Sequence, residues 1–280
     1  MGDFIEDAKA YLAKQGYPFE MYVAKKFRDA GFEVYQSTLY LDENENKERE
    51  IDVAAYYARF IGDIKIEFKV VIECKYTNGL WIFFSGENKG FETLPLYNFY
   101  CASYAGSELL EKLNLDENFK RKQWFKISRH FGYSLIEVKK ENSNTGKNKE
   151  NQNAGATYKA IMKLIGVLRD EYNNNAYLEQ QGEKVLSILV PIIAVQGKLV
   201  ECFLNEKEEQ VFTEITEGQL LYKSNINPDV FPLIEVITKE RIPELVSKLK
   251  SDFDKFFTDY GDILTALIEN FPLSPDSFMT

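Results

Sequence analysis

The chain has 280 residues and 32.5 kDa, which suits one elaborated domain or two small ones. It is 45% hydrophobic and 14% aromatic, and this excludes disorder as the general state. With 34 Lys and Arg against 44 Asp and Glu, a net charge of −10 argues against gripping nucleic acid through overall charge, while leaving room for a local basic groove or a metal-filled acidic site.

Apolar residues at Phe4, Ile5, Ala8, Tyr11 and Leu12 predict a helix over Asp3–Lys14. Pro18 can open a second helix carrying Phe19, Tyr22, Val23 and Phe27, closed by Gly31. Phe32–Leu41, Ile51–Ala58, Lys65–Tyr76 and the short Leu80–Phe84 read as strands, with a polar turn at Asp42–Glu48. Ser107–Leu113 and Asn118–Arg129 look helical, Tyr133–Lys139 extended, and Lys140–Asn153 a polar loop with almost nothing to bury. Ala156–Tyr172 is a strong amphipathic helix. Leu186–Val195 and Leu199–Leu204 are expected to form a hairpin turning at Gln196-Gly197-Lys198. Gln210–Tyr222 and Phe231–Thr238 add strands, and helices over Pro243–Phe257 and Asp262–Phe271 close the chain. These elements predict an α/β fold, a mixed central sheet flanked by helices over residues 1–240, with an insertion at about 85–153 and a helical extension over 241–280 packed on the same domain.

Three scattered cysteines, Cys74, Cys101 and Cys202, suit a reducing compartment and exclude a disulfide framework or a zinc knuckle. His130 is the only histidine, so zincins, His-metal nucleases and His-dependent hydrolases are disfavoured, and an ordinary surface or packing role suits it better. The N-terminus lacks a secretory pattern, and the longest apolar run, around Val185–Val195, is about half a membrane span. A soluble cytoplasmic protein is expected.

The segments that carry chemistry are Arg49-Glu50-Ile51-Asp52-Val53 and Ile72-Glu73-Cys74-Lys75-Tyr76. Acid-x-base triplets alone are weak, since this composition yields about five by chance; Glu67-Phe68-Lys69 and Glu137-Val138-Lys139 are competitors. Hairpin geometry adds specificity. With Gly62-Asp63 as a two-residue turn, paired residue numbers add to a constant that sets Asp52 opposite Glu73, with Cβ atoms about 5 Å apart. Lys75 then lies one pleat further on, beside Glu50. On the other face Ile51 pairs with Cys74, Val53 with Ile72, Ala55 with Val70 and Tyr57 with Phe68. Two opposed carboxylates repel each other, and a bridging divalent cation such as Mg2+ or Mn2+ makes sense of them. The plain alternative is a hairpin with surface charges, Lys75 neutralising Glu73.

These residues resemble the PD-(D/E)xK nuclease superfamily, whose restriction-endonuclease-like core is a mixed sheet between helices. The resemblance covers Gly16–Tyr76 and, more loosely, the helix at Ala156–Tyr172 and the hairpin after it. It implies that Asp52 and Glu73 hold the metal with the backbone carbonyl of Cys74, that Lys75 orients the hydrolytic water or stabilises the transition state, and that Glu20 occupies the place of the family's helix glutamate. Ile51 stands where the motif's name has proline. Lys159 or Lys163 is the basic residue that the later helix can offer. A basic stretch with aromatics, Lys120, Arg121, Lys122, Trp124, Phe125 and Lys126, is a candidate for phosphate contacts and base stacking, with a solvated helix face as the alternative; Tyr76 and Trp81 could border the same groove. The expectation is a Mg2+-dependent nuclease acting on DNA, RNA being open, in association with defence against foreign DNA. The rivals are a catalytically inactive nucleic-acid-binding module and a subunit dependent on a protein partner or a homo-oligomer.

Overall fold

Two apolar clusters on opposite faces of one sheet organise the chain. The computed structural model describes residues 2–12, 15–42, 46–62, 64–86, 131–138, 153–183, 185–222 and 233–269. In chain order the elements are α1 (Gly2–Leu12), α2 (Tyr17–Asp29), β1 (Glu33–Asp42), β2 (Lys47–Ile61), β3 (Ile64–Ser85), β4 (Phe131–Val138), α3 (Asn153–Gln180), β5 (Val185–Leu204), β6 (Gln210–Ile215), β7 (Glu217–Leu221), β8 (Leu233–Thr238) and α4 (Ile242–Glu269). The sheet is mixed, in the order β1-β2-β3-β4-β7-β8-β5-β6, and β3 also pairs in parallel with β5 along most of its length. The pairings therefore close a ring through β3, β4, β7, β8 and β5.

Alternation along β3 assigns the faces. Ile66, Phe68, Val70, Ile72 and Cys74 pack with α2 and α4, where Phe68 stacks on Phe253 at 4.1 Å between ring centroids. Val71 packs toward α3 with Leu164 and Ile165, and Lys69 and Glu73 make ion pairs with α3 residues. β5 is buried along Val185–Val195, where it pairs with β3 throughout and with β8 from Ile192 and has both faces covered. No helix among the described residues is long and apolar enough to cross a membrane.

Several expectations need correction. Leu186–Leu204 is not a hairpin: Gln196-Gly197-Lys198 runs straight through β5, and both halves pair with β3. Gly197 serves a close approach instead, since a Cβ there would stand 2.6 Å from the Thr77 side chain, where the β3–β5 register shifts between Tyr76 and Leu80. The two strands expected at Lys65–Tyr76 and Leu80–Phe84 are one strand, and the two C-terminal helices are one helix because Gly261 is accommodated within it. Gln210–Tyr222 is broken at Thr216 into β6 and β7. The strand expected near Tyr133 joins the sheet as β4, so the segment at about 85–153 contributes to the fold. The rest of that segment, including the expected helices, lies outside the described residues.

Ring closure depends on Phe83. Its side chain is fully buried between Gly132 of β4 and Gly218 of β7. A Cβ at Gly132 would meet the ring at 2.5 Å and the Phe84 carbonyl oxygen at 2.8 Å. Gly132→Ala is therefore expected to destabilise the protein by about 1–3 kcal/mol through overpacking, read as a lower urea midpoint.

On the α4 side of the ring, Glu235 and Gln219 face each other across β7 and β8 and are fully buried. Gln219 Nε2 donates to Glu235 Oε1, while Gln219 Oε1 and Glu235 Oε2 are both unpartnered. Burial pushes the Glu235 carboxyl up to about 8, against the pull of that hydrogen bond. A protonated Glu235 can donate to Gln219 Oε1 and satisfy both groups. Because the folded chain then holds a proton that the unfolded chain releases above about 4.5, stability falls as pH rises across the window between about 4.5 and 8. Glu235→Gln keeps the pair neutral, so it is expected to flatten this slope and to gain about 1–3 kcal/mol at alkaline pH. Denaturant titrations at about pH 5 and about pH 9 check it; an unchanged slope in the variant counts against a protonated Glu235.

Candidate active site

The site forms where β2 and β3 part. From Ile61↔Ile64 to Val53↔Ile72 the hairpin keeps the register that a turn at Gly62 dictates, and Gly62 has the positive φ of 60° such a turn requires. The ladder ends there. At the next step the Cys74 amide donates to Asp52 Oδ2 at 2.7 Å, a side chain in place of a backbone acceptor. Opposite Asp52 on the other edge, β1 is also interrupted. Gln36 pairs with Val53 and Thr38 with Ile51, while Ser37 between them has φ 56°, a left-handed conformation that costs a non-glycine residue about 1 kcal/mol or more. The break reorganises the apolar face. Ile51 packs in the α3-side cluster with Tyr40 and Val71, whereas Cys74 and Val53 lie in the α2/α4-side cluster. The expected Asp52–Glu73, Ile51–Cys74 and Glu50–Lys75 pairs are thus absent from the ladder, and Glu50 is exposed.

Asp52 and Glu73 share the α3 side of the sheet. Lys163 reaches from α3 to lie 2.9 and 3.0 Å from the two Glu73 oxygens and 3.8 Å from Asp52 Oδ1. Lys75 donates to Glu73 Oε1. The Glu73 side chain is 0% exposed and that of Asp52 12%. Burial, and then the Glu73 charge, push the Asp52 carboxyl up to about 7. Burial opposes the charged form of Lys163, but the Glu73 carboxylate outweighs it and leaves the ammonium above the ordinary lysine value. A cationic nitrogen therefore stands between two carboxylates in a poorly solvated gap.

Glu20, in the first turn of α2, borders this cluster. Burial raises its carboxyl above the ordinary value, and Glu50 and Glu73 add to the effect. The Cys74 thiol, also raised by burial, points into the apolar cluster, so only its main chain faces Asp52. Lys159 is exposed on α3, one turn before Lys163. Trp81 does not border a groove, being 1% exposed in the core. Lys120, Arg121, Lys122, Trp124 and His130 lie outside the described residues. The competing triplets are occupied elsewhere: Lys69 pairs with Glu171 of α3, and Glu137 accepts from Thr77 at 2.6 Å. Sequence spacing signalled Lys163 only as one of two lysines on one helix face; its contact with Glu73 depends on how α3 docks.

Among the described residues, no three or more of His, Cys, Asp and Glu are grouped closely enough to hold a metal ion. The donor set is two carboxylates. This suits Mg2+, which is commonly held by one or two carboxylates with water and substrate phosphate completing its octahedron. The Lys163 ammonium marks the place where positive charge is stabilised. No family model, no curated protein and no solved structure matches this chain.

Proposed function

We propose that the protein is a metal-dependent nuclease that hydrolyses phosphodiester bonds in DNA on a restriction-endonuclease-like core. The observation that carries this is the convergence of Asp52 and Glu73 on one cationic nitrogen, with Lys75 on Glu73, where β2 leaves β3. Asp52 and Glu73 would hold Mg2+ or Mn2+, and Glu20, whose carboxyl feels the Glu73 charge, would act through the water around it. The bound ion would supply Lewis-acid stabilisation of the phosphate and a more acidic water. Lys75, part-exposed beside Glu73, is placed to orient the attacking water and to balance charge on the phosphorane-like transition state. Lys163 neutralises Glu73 and would be free to turn toward a substrate phosphate if a divalent ion took over that charge.

The same ammonium favours a second reading, a permanent ion pair in a non-catalytic nucleic-acid-binding protein of this architecture. Nicking of plasmid DNA in Mg2+ by wild type and Lys75→Ala separates the two. The nuclease predicts nicking that EDTA stops and that Lys75→Ala lowers by about a hundredfold or more; equal activity in both proteins rejects the assignment.

A further inference from the structure

A cleft of about 510 Å³ opens beside the carboxylate pair, between the far end of the β1–β2 hairpin and one face of α3. Lys163 belongs to both, touching Glu73 on one side and lining the cleft on the other. The lining is basic and aromatic in a chain whose net charge is −10. Among the described lining residues Arg49, Lys159, Lys163 and Arg169 contribute cations and Asp42 the one carboxylate, which accepts from Arg49 Nε at 2.6 Å. Tyr158 presents a ring that is 55% exposed. Tyr40 forms the opposite, buried wall; burial, with Asp42 beside it, pushes its hydroxyl up to about 12, so it remains a donor.

We infer that this cleft takes an unpaired nucleotide of a DNA strand next to the cleaved phosphate, so that single-stranded or frayed DNA is the substrate rather than intact duplex. The inference rests on the nuclease reading for its link to cleavage, but the recognition chemistry stands on the cleft itself. Its volume lies in the range that encloses one small molecule, which a nucleotide matches and a base-paired duplex exceeds. A base can enter such a pocket only after leaving its stack. Lys159 and Arg169 are ten residues apart on α3, about 15 Å along the helix, a spacing that follows a backbone past the site. Tyr158 offers the stacking face that sequence-tolerant single-strand binding uses.

The test is fluorescence anisotropy on the full chain in EDTA, where a metal-dependent enzyme cuts nothing. The probes are a labelled DNA strand and the same strand annealed as a blunt duplex. The strand is expected to bind at least about tenfold more tightly than the duplex. Tyr158→Ala is expected to weaken strand binding about tenfold, the usual loss of one stacked base. Lys159→Ala is expected to lower the magnitude of the salt slope of strand binding by about 0.7. Both side chains are exposed, so neither change should unfold the protein. Equal affinity for strand and duplex, or a Tyr158→Ala protein that binds the strand as wild type does, overturns the inference. Strand preference without Mg2+-dependent cleavage would instead overturn the nuclease reading and leave the cleft's ligand in place. Cleavage of intact duplex without strand preference would do the reverse.

Discussion

Asp52→Asn is expected to reduce Mg2+-dependent DNA nicking by about 10²–10³-fold while the melting temperature holds or rises. Asparagine keeps a carbonyl oxygen for the Cys74 amide, which Asp52 Oδ2 now accepts at 2.7 Å, and it nearly conserves volume. What it removes is a carboxyl whose charged form burial and then Glu73 already disfavour, in a gap where the Asp52 side chain is 12% exposed and that of Glu73 is 0% exposed. On the proposed metal centre, losing one of the two carboxylates would cost the transition state several kcal/mol. Losing a repulsive charge costs the fold nothing and relieves it. Opposite signs for activity and stability are the mark of a site kept for function. If the Asp52–Lys163 contact were merely structural, the variant would melt earlier and nick as wild type does. Parallel plasmid nicking and thermal melts distinguish the two outcomes.

Lys163→Ala should reveal whether the carboxylates accept a divalent cation. Glu73 loses the ammonium that reaches both of its oxygens and keeps Lys75. Breaking a buried pair by removing one member typically costs about 3–5 kcal/mol. Because the Lys163 side chain is 28% exposed, a loss of about 2–3 kcal/mol is the sounder expectation. Mn2+ or Mg2+ should then restore much of the stability. Saturation at about a hundred times the dissociation constant contributes about 2.7 kcal/mol, and the vacated position lets the ion bind without displacing an ammonium. The metal-induced rise in melting temperature is therefore expected to be larger in the variant than in wild type. A variant that melts early and gains nothing from either ion would mean that the two acids are not a metal centre.

The parts of the site that were readable before any coordinates are the parts that local geometry dictates. A turn at Gly62 imposes one register on its two strands. The Val53–Ile72, Ala55–Val70 and Tyr57–Phe68 pairs follow from counting outward along the chain; Asp52 and Glu73 share a side through their common contact with Lys163 and not as a ladder pair. The same counting fails one pair beyond Val53, because the Asp52 side chain takes the Cys74 amide, and Ser37 on the facing strand takes a left-handed φ. Neither event has a signature in residue spacing. The hairpin expected at Gln196-Gly197-Lys198 failed for a related reason: glycine between apolar runs reads as a turn, yet here it makes room for Thr77 of a neighbouring strand.

Amino-acid order alone determined which segments could become helices or strands, and it carried the acid pair and Lys75 to one end of a hairpin, since those properties depend on neighbours within a few residues. The docking of α3 decided that Lys163 fills the gap between the carboxylates and that its exposed face, with Arg49, encloses a cationic cleft. Closure of the ring decided that Glu235 is buried against Gln219. These contacts join residues far apart in the chain, and burial and electrostatic coupling arise only when packing removes water from between them.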